Sequence, residues 1–124
     1  MINRPSNKEL YNKLRLARQA VDAGRIALIN PLALAADAIE LDYSIELGLN
    51  TVLDELLRQT TPAHYAGSKP PLKSYEGDIQ GLELFAFVVE SSRFNGRVYL
   101  KFALAGEMFW LVSLHKDRPI KEEP

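Results

Sequence analysis

Two stretches near the end of this 124-residue chain carry the side chains best suited to chemistry: Arg97, Tyr99 and Lys101 in the first, Ser113 and His115 in the second, with Lys73 upstream. An imidazole exchanges protons near neutral pH, guanidinium and ammonium groups clamp phosphate, and a phenol hydrogen-bonds phosphate or stacks on a base. Together these are the groups needed to cleave RNA without a metal. A ribose 2′-hydroxyl attacks the neighbouring phosphate while a base takes its proton. Cations stabilise the phosphorane-like transition state, and an acid protonates the departing 5′-oxygen. The same residue types populate ordinary exposed sheet faces, where Lys101 opposite Glu90 would be a cross-strand ion pair.

The two stretches read as strands. Successive side chains of a strand point to opposite faces, which separates Val98, Leu100, Phe102 and Leu104 from Arg97, Tyr99, Lys101 and Ala103. A three-residue loop, Ala105-Gly106-Glu107, would set Leu104 against Met108, Phe102 against Trp110, Leu100 against Val112 and Val98 against Leu114. It would also set Tyr99 against Ser113 and Arg97 against His115, whereas a two-residue loop mixes the faces. Asn95-Gly96 is a strong two-residue turn signal, pairing Phe94 with Arg97, Ser92 with Tyr99, Glu90 with Lys101, Val89 with Phe102 and Phe87 with Leu104. Three strands then share one apolar face.

Helical signals precede them. Ser6 and Glu9 have capping-box spacing, and Leu10, Leu14, Ala17 and Val21 share one face of a helix over about Asn7–Ala23 that Gly24 stops. Asn30-Pro31 opens a short second helix, Leu32–Ile39, ending near Leu41-Asp42. Ser44 caps a third, running to about Gln59. Thr60 to Pro71 is an irregular connection, Lys73-Ser74-Tyr75 a short extended segment, Gly77-Asp78 a turn, and Leu82–Ser91 a central strand. The tail Ile120–Pro124 is expected to fray. Helices first and strands afterwards predict one α+β domain over residues 1–124: N-terminal helices, about 6–59, packed on a C-terminal antiparallel sheet, about 72–118.

The apolar fraction of 47% is enough for one core, and no apolar run reaches the length needed to cross a bilayer. No secretory signal is evident at the N-terminus and cysteine is absent, so a cytoplasmic location without membrane partners is expected. The net charge of −1 hides a segregation. Cations dominate residues 1–21 and 93–121, acids dominate 22–59, and either the pattern is solvation alone or its basic ends meet a polyanion. No Gly-rich phosphate loop, nucleophile elbow or pair of histidine ligands occurs. His64, in the Pro-rich loop, reads as an incidental surface residue.

Several segments resemble the motility quorum-sensing regulator (MqsR) family, ribonuclease toxins of type II toxin–antitoxin systems with a RelE-like fold. Leu16-Ala17-Arg18-Gln19-Ala20-Val21-Asp22-Ala23-Gly24-Arg25-Ile26 resembles the family's first helix with its "AG" stop. Glu40-Leu41-Asp42-Tyr43 is similar to its "GLDF", and Gly48-Leu49 to a following "GL". Gly96-Arg97-Val98-Tyr99-Leu100-Lys101 is close to "GQVYLK", and Leu111-Val112-Ser113-Leu114-His115-Lys116 stands in the place of "IVSFKEK". The resemblance implies that Tyr99 is an active-site tyrosine, that His115 takes the place of a C-terminal catalytic lysine, and that Lys73, in a "KS" pair, is a further catalytic lysine. Arg97, Lys101, Ser113 and Lys116 would bind substrate. Phe85-Ala86-Phe87-Val88-Val89 departs from the family's "WQDVY", so Ala86 replaces an active-site glutamine.

The expectation is therefore a metal-independent endoribonuclease, with no cofactor, acting on single-stranded RNA and restrained by a cognate antitoxin. A non-catalytic protein- or RNA-binding module on the same fold is the alternative, favoured by Ala86 and the acidic 22–59 region.

Overall fold

The computed structural model describes residues 5–68 and 71–117; the tail Ile120–Pro124 lies outside them. Ser6 Oγ accepts the Glu9 backbone N–H at 3.0 Å and so starts α1 (Asn7–Asp22). Gly24 ends it at φ +73°, a conformation that suits a residue without Cβ. Gly24 N–H donates to Val21 O and Arg25 N–H to Ala20 O, a Schellman stop that turns the chain straight into β1 (Ile26–Leu28). Pro31 in the first turn opens α2 (Pro31–Leu41), and Asp42, with a left-handed backbone, closes it. Ser44 Oγ accepts Leu47 N–H at 3.2 Å at the start of α3 (Ile45–Gln59). All three predicted helices are present.

Three long strands follow: β2 (Phe85–Ser91), β3 (Gly96–Ala105) and β4 (Met108–Lys116). The sheet order is β1-β4-β3-β2, giving an α+β architecture with the helices N-terminal and most of the sheet C-terminal. Helix residues Leu10, Leu14, Leu34, Leu53, Leu56 and Leu57 bury one face of the sheet, meeting Phe87, Val98, Leu100, Phe102, Phe109 and Leu114. Phe102 lies at the centre, its ring stacked on Phe109 at 4.9 Å and on Phe87 at 5.9 Å.

Strand β1 corrects the expectation of a purely antiparallel sheet. It runs parallel to β4, with Ile26 beside Phe109 and Leu28 beside Leu111. Arg25 holds it there: its carbonyl accepts Phe109 N–H, its Nε donates to Glu107 O at 2.9 Å, and its guanidinium pairs with the Glu107 carboxylate at 3.2 Å.

Both hairpin registers also differ from expectation. Strands β2 and β3 are joined through the four residues Ser92–Asn95, so Phe85, not Val89, faces Phe102, and Val88, not Ser92, faces Tyr99. The displacement is even, so every side chain keeps its expected face. Strands β3 and β4 are joined by two residues, Gly106 and Glu107, with Ala105 paired to Met108. Gly106 at φ +60° occupies the first central position, as a type II′ turn requires. The shorter loop puts Met108 and Trp110 on the opposite face from the one expected.

A β-bulge then restores the pattern. Phe102 pairs with Leu111 but Lys101 pairs with Ser113, leaving Val112 as the extra residue. Leu114 consequently returns to the core face, while Ser113 and His115 turn to the other. That second face is itself partly covered. The segment before β2 folds over it, with Lys73 bridging Glu83, Ser74 N–H donating to Leu82 O and Leu84 N–H to Leu72 O. A smaller apolar cluster forms beneath, made of Ile29, Ile79, Ala103, Leu82, Leu84, Trp110 and Val112.

Candidate functional site

The bulge puts His115 opposite Tyr99 on the face away from the helices. The two rings stack with centroids 5.1 Å apart and planes 17° from parallel. Lys101, two residues along β3 on the same face, brings its Nζ to 6.0 Å from the Tyr99 ring centre. Ser113 sits opposite Lys101. Phenol, imidazole, ammonium and hydroxyl are thus gathered on two adjacent strands, although with different cross-strand partners from those expected.

Local contacts fix which atoms of the stacked pair are donors and which are acceptors. Burial pushes the Tyr99 phenol above its ordinary value, so at neutral pH it keeps its proton and can act as a donor, not as a base. His115 Nδ1 lies 2.7 Å from the Lys116 carbonyl oxygen. A carbonyl only accepts, so Nδ1 carries the proton and Nε2 of the neutral ring keeps its lone pair for another partner.

Arg97 is exposed on the same face, two residues before Tyr99, but its guanidinium is engaged by Asp117 at 3.2 Å. Asp117 N–H also donates to the Arg97 carbonyl at 3.0 Å, and Glu90 is the cross-strand neighbour on the other side. Lys116 does not join this group. It pairs with Val98, whose side chain is in the core, and borders a cavity with Glu40, Asp42 and Arg93 on the helix side of the sheet. His64 Nδ1 accepts the Thr61 backbone N–H at 2.9 Å, an ordinary capping role.

Two adjoining cavities flank Lys101. The smaller, of about 180 Å³, is bordered by Tyr99, Lys101, Ala86, Leu72 and Leu84. The larger, of about 580 Å³, shares Leu72, Leu84 and Lys101 with it and adds Lys73, Tyr75 and Val112. Lys73 therefore shares a groove with Lys101 and not with Tyr99 or His115. Ala86, buried and paired with Lys101, forms part of the smaller cavity's wall, so the position where the resembling family carries glutamine is here apolar. Asp117 and Tyr75 were not singled out from the sequence. Asp117 becomes a neighbour of Arg97 only when the bulge is counted, and Tyr75 carries no pattern signal beyond being an aromatic two residues after a lysine.

Among the described residues, no group of three or more His, Asp or Glu side chains could hold a metal ion, and no helix is long and apolar enough to cross a membrane. No protein-family model matches the chain, and no curated protein matches it either.

Proposed function

We propose that this chain is a metal-independent endoribonuclease of the MqsR-like, RelE-like toxin class, acting in the cytoplasm on single-stranded mRNA and restrained by a cognate antitoxin. The observation that carries the reading is the stacked Tyr99–His115 pair beside Lys101 on the sheet face away from the helices. In the reaction the 2′-oxygen bonds to phosphorus as the bond from phosphorus to the 5′-oxygen breaks. The products are a 2′,3′-cyclic phosphate and a 5′-hydroxyl. His115 Nε2 accepts the 2′-proton, and the Tyr99 phenol gives its proton to the leaving 5′-oxygen, which departs as the 5′-hydroxyl. Lys101 offsets the charge that builds on phosphate, and Lys73 and Arg97 hold the flanking chain. Arg97 must exchange Asp117 for phosphate to do so.

The test is incubation of the purified protein with end-labelled RNA in chelator, both free and in a translating extract, with the product ends identified. Cuts ending in cyclic phosphate, and growth arrest on expression that His115→Ala or Tyr99→Phe relieves, are expected. Intact RNA in both settings with harmless expression would overturn the reading. Ala86 beside Tyr99 favours a second one, a non-catalytic module that binds protein or RNA on the same face.

A further inference from the structure

The groove on the far side of Lys101 from Tyr99 has the properties of a nucleotide subsite. Tyr75 borders it and is 95% exposed, the most exposed large apolar side chain among the described residues. An aromatic ring covers some 150–250 Å² when buried, so leaving one in water forgoes a large gain unless a ligand covers it. The ring is nevertheless carried on a fixed backbone. Ser74, its neighbour, is buried, with its N–H donating to Leu82 O, its carbonyl accepting Gly81 N–H at 2.9 Å and its Oγ accepting Glu76 N–H at 3.0 Å. Tyr75 is thus an exposed platform on a pinned turn, so little backbone ordering remains to oppose binding.

Charge indicates what the platform would hold. Lys73 and Lys101 both border the groove, with Glu76 as its acidic member. Lys73 also borders a further cavity together with Lys13 of α1 and Glu83. An aromatic face flanked by lysines is the arrangement that takes one base and its neighbouring phosphates from a single strand. The shared wall at Lys101 makes the path continuous with the cavity of Tyr99.

We propose that this groove binds the nucleotide adjacent to the cleaved link of single-stranded RNA, with Tyr75 stacking on its base and Lys73 and Lys101 holding its phosphates. The assignment rests on the nuclease reading above, and its test separates the two. A fluorescein-labelled RNA with 2′-O-methyl riboses lacks the attacking hydroxyl, so binding is read by anisotropy without turnover. Tyr75→Ala is expected to weaken binding roughly 5- to 100-fold, and Tyr75→Phe to stay within about twofold of the parent. Lys73→Met is expected to flatten the dependence of log Kd on log salt by about 0.7. Equal binding by the parent and Tyr75→Ala, or no binding of the strand by the parent, would overturn the subsite. Unmodified RNA that is bound in this Tyr75-dependent way but never cut would defeat the nuclease reading and leave the groove standing. A peptide captured in its place, with no affinity for the strand, also overturns the proposal.

Discussion

Replacing His115 by alanine should separate chemistry from folding. If Nε2 is the base, its loss lowers the cleavage rate by about 10²–10⁴. The structural loss is smaller. His115 stacks on one ring and makes one exposed hydrogen bond to the Lys116 carbonyl, together worth about 1–2 kcal/mol. With an unfolding entropy of about 0.26 kcal/mol/K for 124 residues, Tm should fall by roughly 4–8 °C. A domain with about 5–15 kcal/mol in reserve stays folded at 25 °C under that loss. Single-turnover cleavage of a fluorescent RNA, read beside thermal melting followed by circular dichroism, measures both quantities. A folded His115→Ala protein cutting within threefold of the parent would refute the assignment of the base. So would a loss that merely tracks the unfolded fraction.

Asp117→Asn releases the Arg97 guanidinium from a pair whose arginine is largely in solvent and which is worth about 1 kcal/mol, so it should leave Tm nearly unchanged while tightening binding of 2′-O-methyl RNA several-fold; unchanged affinity would mean that Arg97 does not meet phosphate. Phe102→Ala removes a fully buried ring stacked on Phe109 and Phe87 and should cost about 3–5 kcal/mol in urea denaturation, a loss below about 1 kcal/mol contradicting its central place. Tyr43 Oη is buried with no hydrogen-bond partner among the described residues, so Tyr43→Phe should hold or raise Tm. Burial, with Asp37 adding to it, pushes the Tyr43 phenol up to about 12. Above its unfolded pKa of about 10 the unfolded chain releases this proton first, so the stability it contributes is complete below pH 10 and is lost as pH rises towards 12. Denaturation at pH 9 and pH 11.5 should show that loss, and Tyr43→Phe should reduce it.

The helices were legible because each signal is local: Ser6 and Ser44 cap, Gly24 stops, and Pro31 opens a first turn. The hairpin partners were not, because distant groups decide them. Asn95-Gly96 has the chemistry of a two-residue turn, and Asn95 does adopt a left-handed backbone. Yet Arg93 makes a double hydrogen bond to Glu55 of α3, and Phe94 packs against Tyr43 at 6.1 Å. These anchors draw all four residues Ser92–Asn95 into the connection, and Ser91 Oγ accepts Phe94 N–H within it. Only an odd displacement would have changed faces, so the candidate residues Tyr99 and Lys101 were assigned to the right side with the wrong neighbours. Strand β1 went unread because three residues, Ile26, Ala27 and Leu28, carry no measurable period. The β3–β4 loop has two residues, the length that alternation disfavours. Its apparent conflict with Leu114 disappears once Val112 is absorbed as a bulge, which alternation alone does not reveal.

That extra residue also divides the outer surface of the sheet into two territories. Because Val112 and Ser113 both stand across from Lys101, one cross-strand position serves as a frontier, with an oily filler on one flank and a hydroxyl on the other. Trp110, Ala103 and Val112 pack with Ile79 and Leu82 on one flank, Val112 reaching the wall of the Tyr75 groove; Ser113, His115 and Tyr99 lie on the wet side. Damage on the first should register as melting and damage on the second as lost recognition, so the border at residue 112 tells an experimenter which instrument to bring.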